Sequence, residues 1–201
     1  MMSPTVFVRA SLTAHTGRAL LSRVDVLRDT RDAALGLTAD LVDPAHGVWA
    51  ADLYIGDGRS APVQERCVSG GELAALIDEW TSGAVLVGVA PDLEVDHLAA
   101  LMRWYGIEPT WAADGPVDLV VFARGWLTAM ARLFCWPLPD PLAVDALCRL
   151  CGVPPLPERE RLAPLGMLRW AARWWDRLQT WQLPQLTETT ADIGMWREVA
   201  A

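Results

Sequence analysis

The sequence contains no lysine, and arginine supplies all 17 of its basic residues against 25 acidic ones. The formal net charge of −8 argues against broad binding to a phosphate backbone, which needs a basic surface. No stretch approaches the roughly 20 uninterrupted apolar residues that a membrane-spanning helix needs, so we expect no membrane partner. The N-terminal letters MMSPTVFVRA lack the basic start and long apolar run of a signal peptide, which favours a cytoplasmic location.

Cysteine is also scarce, with four residues in 201, and in an unsecreted chain these thiols are expected to be reduced. Two of them form a Cys148-x-x-Cys151 pair, but a structural zinc site needs about four ligands in compatible spacing. The other cysteines and the histidines are scattered along the chain. A redox pair normally opens a helix, whereas this pair closes a predicted one. We therefore expect neither a zinc site nor a redox centre.

Tryptophan is abundant instead, with 11 residues, and 52% of the chain is hydrophobic, enough to bury the core of one domain. A helix predicted from Pro164 to about Trp181 carries several of these tryptophans beside an apolar stripe. Core packing accounts for one face of such a helix, but its aromatic side chains exceed what one face needs. We therefore predict that Trp170, Trp174, Trp181 and, in the polar tail, Trp196 contribute to a protein interface.

The chain is organised around the stretch AVLVGVAPDLEVDHLAALMRWYGIEPTW, residues 84–111. Its valine-rich start has the length and composition of a strand buried on both faces, typical of a parallel sheet. Pro91 and Asp92 end the strand, and Asp92 is expected to be the N-cap of a helix that stops at Gly106. Glu94 then follows the carboxyl end of the strand, where open α/β sheets place their chemistry.

The other elements follow from periodicity and turn signals. Residues 1–32 are ambiguous, with a short strand near Val6 and a short helix capped by Thr16. The predicted strands of the remaining chain are 33–42, 48–55, 61–68, 84–90 and 117–123. The predicted helices are 72–82, 92–105, 125–135, 140–151 and 164–181.

Antiparallel strands come first in this order, then strand–helix–strand units, then helices. The order predicts an α/β fold in which a mixed β-sheet is flanked by helices. We divide the chain into an N-terminal extension at 1–32, a main domain at 33–181 and a C-terminal tail at 182–201.

Three motifs occur in sequence along these elements. LVGVAPDLEVDHL places Asp92-Leu93-Glu94 after the central strand, and Val117-Asp118-Leu119-Val120 forms the next strand. The last segment combines Leu165-Gly166-Met167 with Arg169-Trp170-Ala171. Together these motifs resemble the DnaQ-like (DEDD) 3′–5′ exonucleases of the ribonuclease H-like superfamily, closest to the branch common in actinobacteria and their phages. The resemblance covers about residues 33–176 and implies a ribonuclease H-like fold.

The resemblance also implies a site of four carboxylates that hold two metal ions, with a histidine or tyrosine as base. Two-metal hydrolysis depends on such oxygen ligands because hard divalent cations require them. The family's first motif aligns here either with Gly36 and Thr38 or with Leu12 and Ala14. Both of its acids are absent in either alignment.

The remaining positions of the family site are mostly degenerate as well. Leu162 takes the place of the base and Met167 that of an aspartate, and both are expected to fill part of the former metal cleft. Glu94 alone keeps a carboxylate, although its place as an acid in the first turn of a helix is the simpler explanation. Asp118 either supports this cleft or is an ordinary residue at a strand edge. Because one carboxylate cannot hold two divalent ions, we expect no catalytic residues, no metal site and no cofactor.

The sequence therefore predicts a pseudoenzyme, a non-catalytic exonuclease homologue that serves as a binding or structural subunit, with a protein partner or a second copy. A first alternative is a divergent exonuclease whose Mg²⁺ or Mn²⁺ ions are held by other acids, such as Asp40, Asp52, Glu94 and Asp118. A second alternative is a module that binds nucleic acid without cleaving it, which the acidic net charge disfavours.

Overall fold

The computed structural model of the protein describes most of the chain. The described residues are 4–15, 18–29, 34–55, 61–89, 91–112, 115–135, 137–138 and 143–180. The expected helix cap at Asp140, the interface residues Trp181 and Trp196, and the tail at 182–201 lie outside these ranges.

A seven-stranded sheet forms the centre of the described structure. Its strands are β1 (Thr5–His15), β2 (Arg18–Asp29), β3 (Ala34–Asp43), β4 (Val48–Ile55), β5 (Gln64–Ser69), β6 (Val85–Gly88) and β7 (Val117–Asp118). Their spatial order is β5-β4-β3-β2-β1-β6-β7. Strands β1 to β5 form an antiparallel meander, whereas β6 runs parallel to both β1 and β7. The sheet is therefore mixed, as predicted.

Helices cover both faces of this sheet. They are α1 (Gly70–Thr81), α2 (Pro91–Trp104), α3 (Leu119–Phe134), α4 (Val144–Leu150), α5 (Glu158–Arg161) and α6 (Gly166–Thr180). Helices α1 and α2 bury one apolar core around Leu73 and Leu98, and α3, α4 and α6 bury a second around Leu127 and Trp174. The predicted mixed α/β architecture, with a sheet between helices, is confirmed.

The N-terminal residues belong to the middle of the sheet. Strand β1 lies between β2 and β6, and β2 pairs with β3 from Arg23↔Asp40 to Asp29↔Ala34. The sheet thus runs across the boundary that we placed between residues 32 and 33. The short helix predicted after Thr16 is wrong, because Arg18–Asp29 is a strand. Apolar and charged residues alternate in its RVDV run, which is the period of a strand and not of a helix.

The strand predicted at 117–123 is wrong beyond its second residue. Strand β7 ends at Asp118, whose side-chain Oδ1 accepts hydrogen bonds from the backbone N–H groups of Val120 at 2.8 Å and Val121 at 2.9 Å. These bonds make Asp118 the N-cap of α3, so the helix begins six residues earlier than predicted. Residues Leu119, Ala123, Leu127 and Ala131 then recur every four positions on its buried face.

The central stretch has the predicted strand and helix, with one change at their junction. Helix α2 begins at Pro91, so Asp92 lies inside the first turn and is not the N-cap that we expected. Proline suits the first helical position because its missing N–H would have no partner there. Gly106 follows the helix with a positive φ of 79°, consistent with its expected role at the end.

Candidate functional site: a mixed-charge cleft beside β6

Four neighbouring strands place polar side chains in one row across the sheet. Arg9 on β1 pairs with Asp25 on β2, Asp25 pairs with Thr38 on β3, and Thr38 pairs with Asp52 on β4. Directly paired residues lie on the same face of a sheet, so these four side chains share one face. We call Arg9, Asp25, Thr38 and Asp52 the polar row.

The neighbouring part of the same face is apolar and covered. Two residues along each strand from the polar row, Phe7, Leu27, Gly36 and Tyr54 pair in the same manner and are buried in the core beneath α6. A Cβ atom at Gly36 would collide with Leu165, which lies immediately before α6, so the contact there is close. The polar row lies directly beside this covered region, and its members Asp25 and Thr38 are themselves buried.

Glu94 lies in the first turns of α2, just beyond the end of β6. Its Oε2 atom is buried and has no hydrogen-bond partner among the described residues. A Cβ atom at Gly88, the last residue of β6, would lie 2.5 Å from that oxygen. Glycine at this position therefore leaves the room that the Glu94 carboxyl group occupies. Because Phe7 pairs with Val87, Arg9 lies level with the end of β6 and close to this group.

The electrostatic environment of Glu94 combines burial with charges of both signs. Burial raises the pKa of Glu94 to about 7, the Arg9 guanidinium acts in the opposite direction, and the negative charges of Asp118 and Asp25 raise it further. A carboxyl group with a buried, unpaired oxygen gains stability from being protonated. Arg9, Asp25 and Asp118 thus lie near enough to Glu94 for their charges to act on it, and we call these four residues the mixed-charge cleft.

Asp25 is the most deeply buried acid of the cleft, with 2% of its surface exposed. Burial raises the pKa of Asp25, and Arg23, whose Nε lies 3.1 Å from its Oδ1, opposes that effect. Arg23 also contacts Asp40, at 3.3 Å between Nη1 and Oδ2. Asp25 is therefore held by an ion pair within the sheet.

Asp118 enters the cleft from β7, where it pairs with Gly88. One of its oxygens caps α3, as described above, so the side chain is fixed by the helix that follows it. Its charge still acts on Glu94 across the end of β6. The contacts give Asp118 a role that neither interpretation from the sequence named, the N-cap of α3, and support of the cleft stays a prediction.

The two alignments of the family's first motif place its acid positions on different strands. Gly36 and Thr38 lie on β3, which β2 separates from β1, and Thr38 is buried in the polar row. Leu12 lies on β1 but is 42% exposed and points to the other face of the sheet from Arg9. Sequence reasoning missed Arg9 as the residue of β1 that faces the cleft. The pattern that could have revealed Arg9 is a charged residue within an apolar strand.

The apolar replacements in the last motif do not fill the cleft together. Leu162 is 79% exposed after α5, which corrects the expectation that it packs into the former metal site. Met167 is half-buried against the core beneath α6. The side chain that does pack onto the sheet is Leu165, which has a positive φ of 56° and contacts Gly36.

The predicted tryptophan interface on α6 is also corrected. Trp170 and Trp174 are 3% and 0% exposed, and their rings contact each other inside the core with centroids 5.1 Å apart and an angle of 55° between the ring planes. Neither offers a surface to a partner. The Cys148 and Cys151 thiols are buried beside them, and burial raises the pKa of both thiols, which makes them poor nucleophiles.

Within the part of the chain that the structure describes, no three His, Cys, Asp or Glu side chains are grouped so that they could hold a metal ion. The helices of the same part are all too short or too polar to cross a membrane. In comparisons with known proteins, the chain matches no family model, no curated protein and no solved structure.

Proposed function

We propose that the protein is a non-catalytic relative of the DnaQ-like exonucleases that serves as a binding or structural subunit of a larger assembly. Arg9 is the observation that carries this proposal. It introduces a guanidinium into the group formed by Glu94, Asp25 and Asp118, where a two-metal nuclease would need carboxylates.

An arginine at this place opposes metal binding for a simple electrostatic reason. A guanidinium is charged at every accessible pH and has no lone pair to donate to a cation. Divalent ions such as Mg²⁺ need several anionic or neutral oxygens within their first coordination sphere. The positive charge of Arg9 acts on Glu94 and Asp25, so it opposes the entry of a cation beside these two carboxylates.

The other acids also have structural roles that compete with metal binding. Asp25 pairs with Arg23, Asp40 pairs with the same guanidinium, and Asp118 caps α3. The alternative ligand set of Asp40, Asp52, Glu94 and Asp118 comes from four different elements, and the described residues contain no metal-holding group of three. These contacts favour the non-catalytic proposal over a divergent exonuclease.

A nuclease assay tests the proposal. Purified protein is incubated with 3′-labelled and 5′-labelled DNA and RNA, single-stranded and duplex, in Mg²⁺ or Mn²⁺, beside the Glu94→Ala variant. We expect no trimming by either protein, or the same trace of trimming by both, as a contaminating nuclease would give. Metal-dependent trimming from the 3′ end by the parent, lost in the variant, would refute the proposal.

The same samples test the remaining alternative, a module that binds nucleic acid without cleaving it. Fluorescence anisotropy of the labelled oligonucleotides is measured at increasing salt. The net charge of −8 predicts no salt-sensitive binding. Binding that weakens steeply as salt rises, without cleavage, would assign the protein to nucleic-acid recognition instead.

A further inference from the structure

The outer side of α3 is apolar although it faces away from the core. Its exposed apolar residues are Val121, Phe122, Ala129 and Leu133, which we call the α3 surface. The opposite side of the helix is buried in the core beneath α6, so the helix is apolar around most of its circumference. A helix of that kind is normally covered on all sides, whereas the described residues cover only one side of α3.

The α3 surface lies in the basic part of an acidic protein. The charged residues of α3 are Arg124 and Arg132, and the helix contains no acid. Residues 119–180 contain eight arginines and five acids, a net charge of +3, whereas residues 1–118 contain eight arginines and 17 acids, a net charge of −9. A segment that fits this surface therefore combines apolar side chains with acids.

The C-terminal segment of the chain has this composition. Residues 182–201 read QLPQLTETTADIGMWREVAA and contain three acids and one arginine, a net charge of −2. Its apolar residues Ile193, Trp196 and Val199 lie among the acids Asp192 and Glu198. Tryptophan is among the residues that most often anchor an interface. The segment thus supplies both the apolar anchor and the negative charge that complement the α3 surface.

Helix α6 brings the chain to this surface before the segment begins. Trp175 of α6 contacts Phe122 of α3, with ring centroids 5.3 Å apart. The helix ends at Thr180, about 7.5 Å further along its axis. Residues 182–201 span up to about 65 Å when extended, whereas the whole of α3 is about 24 Å long. The segment therefore starts beside the α3 surface and is long enough to cover it.

We propose that residues 182–201 dock on the α3 surface of the same molecule, with Trp196 as the apolar anchor and the acids of the segment facing the basic side of α3. The covalent connection through α6 keeps the segment at a high effective concentration beside this surface, so a small contact area is sufficient. The inference goes beyond the proposed function and is independent of it, because this docking does not depend on the chemistry of the mixed-charge cleft.

Hydroxyl-radical footprinting of the full chain, measured by mass spectrometry, tests whether the α3 surface is covered. Leu133 and Leu93 have the same intrinsic reactivity toward the radical, and the described residues leave them 64% and 65% exposed. Without a further cover, the two leucines are oxidised at the same rate. We expect Leu133 to be oxidised several-fold more slowly than Leu93 in the parent. Equal rates would overturn the proposal.

A variant of the segment identifies the cover. Trp196→Ala removes the anchor and is expected to raise the oxidation rate of Leu133 close to that of Leu93. Trp104→Ala is the matched control, because it removes an exposed tryptophan from α2, on the opposite face of the sheet, and should leave Leu133 protected. Circular dichroism verifies that both variants keep the parent fold. Protection of Leu133 that persists in Trp196→Ala would show that the segment is not the cover.

Dilution distinguishes the segment of the same molecule from that of a second copy. An intramolecular contact is independent of protein concentration, so Leu133 should stay protected when the parent is diluted from micromolar to nanomolar concentration. Protection that is lost on dilution would assign the α3 surface to association between copies and would overturn the proposal.

Discussion

At the scale of single residues, burial makes the Glu94 carboxyl group easier to protonate than an exposed glutamate, with its pKa raised to about 7. Its Oε2 atom is enclosed beside Gly88 without a hydrogen-bond partner among the described residues, and Asp25 and Asp118 add negative charge around it. Arg9 compensates only in part, because the pKa of Glu94 remains raised to about 7. The folded state therefore holds a proton on Glu94 at pH values where the unfolded chain has released it.

The first prediction concerns the pH dependence of stability. The folded pKa of Glu94 is about 7 and its ordinary value is 4.5, so the free energy of unfolding falls as pH rises between these values. Because Glu94 is partly exposed, we expect this loss to be about 1–2 kcal/mol. Glu94→Gln has no carboxyl group to titrate at this position. In urea denaturation its free energy of unfolding should match that of the parent near pH 4.5 and exceed it above about pH 7.

The control for this prediction is Asp92→Asn, an exposed acid in the same helical turn whose substitution changes the net charge by the same amount. It should leave the difference between low and high pH unchanged. If the stability difference between Glu94→Gln and the parent is the same at every pH, the Glu94 carboxyl group is not protonated in the folded protein and the description of the cleft is wrong.

At the scale of elements, local hydrogen bonds decide where the secondary structure changes. Asp118 ends β7 and begins α3. Ser22 is an extra residue on β2 between the pairs Ser11↔Arg23 and Leu12↔Leu21, and this bulge turns Leu21 toward the core beneath α1 and α2. An apolar run such as VDLVVFA fits a buried strand and a buried helix equally well, so its period alone did not resolve the two. The helix cap at Asp118 could have been predicted, since aspartate is a preferred N-cap residue.

The second prediction concerns this cap. Asp118→Ala removes the acceptor for the Val120 and Val121 N–H groups and should lower the free energy of unfolding by about 1 kcal/mol. Asp118→Asn keeps a side-chain oxygen in the same place and should cost clearly less. Urea denaturation of the parent and both variants measures these differences. An equal loss of unfolding free energy in both variants would show that α3 requires the charge of Asp118 and not its hydrogen bonds.

At the scale of the whole molecule, the sequence predicted the architecture better than the site. The fold class and the central strand and helix around Glu94 follow from local patterns. The mixed-charge cleft depends on contacts between Arg9, Asp25, Glu94 and Asp118, which are far apart in the chain and meet only through the strand order β2-β1-β6-β7. A single sequence holds no direct record of that pairing, and the assignment of residues 1–32 to an extension hid the strand that carries Arg9.

We propose that Arg9 takes the place that metal ions would occupy beside Glu94, and a Mn²⁺ titration followed by electron paramagnetic resonance tests this most directly. Arg9→Asp serves as the positive comparison, because it adds a carboxylate to the group of Glu94, Asp25 and Asp118 and should bind the ion more tightly than the parent. We predict that the parent leaves the added Mn²⁺ free in solution. Stoichiometric Mn²⁺ binding by the parent that is lost in Glu94→Gln would contradict the claim.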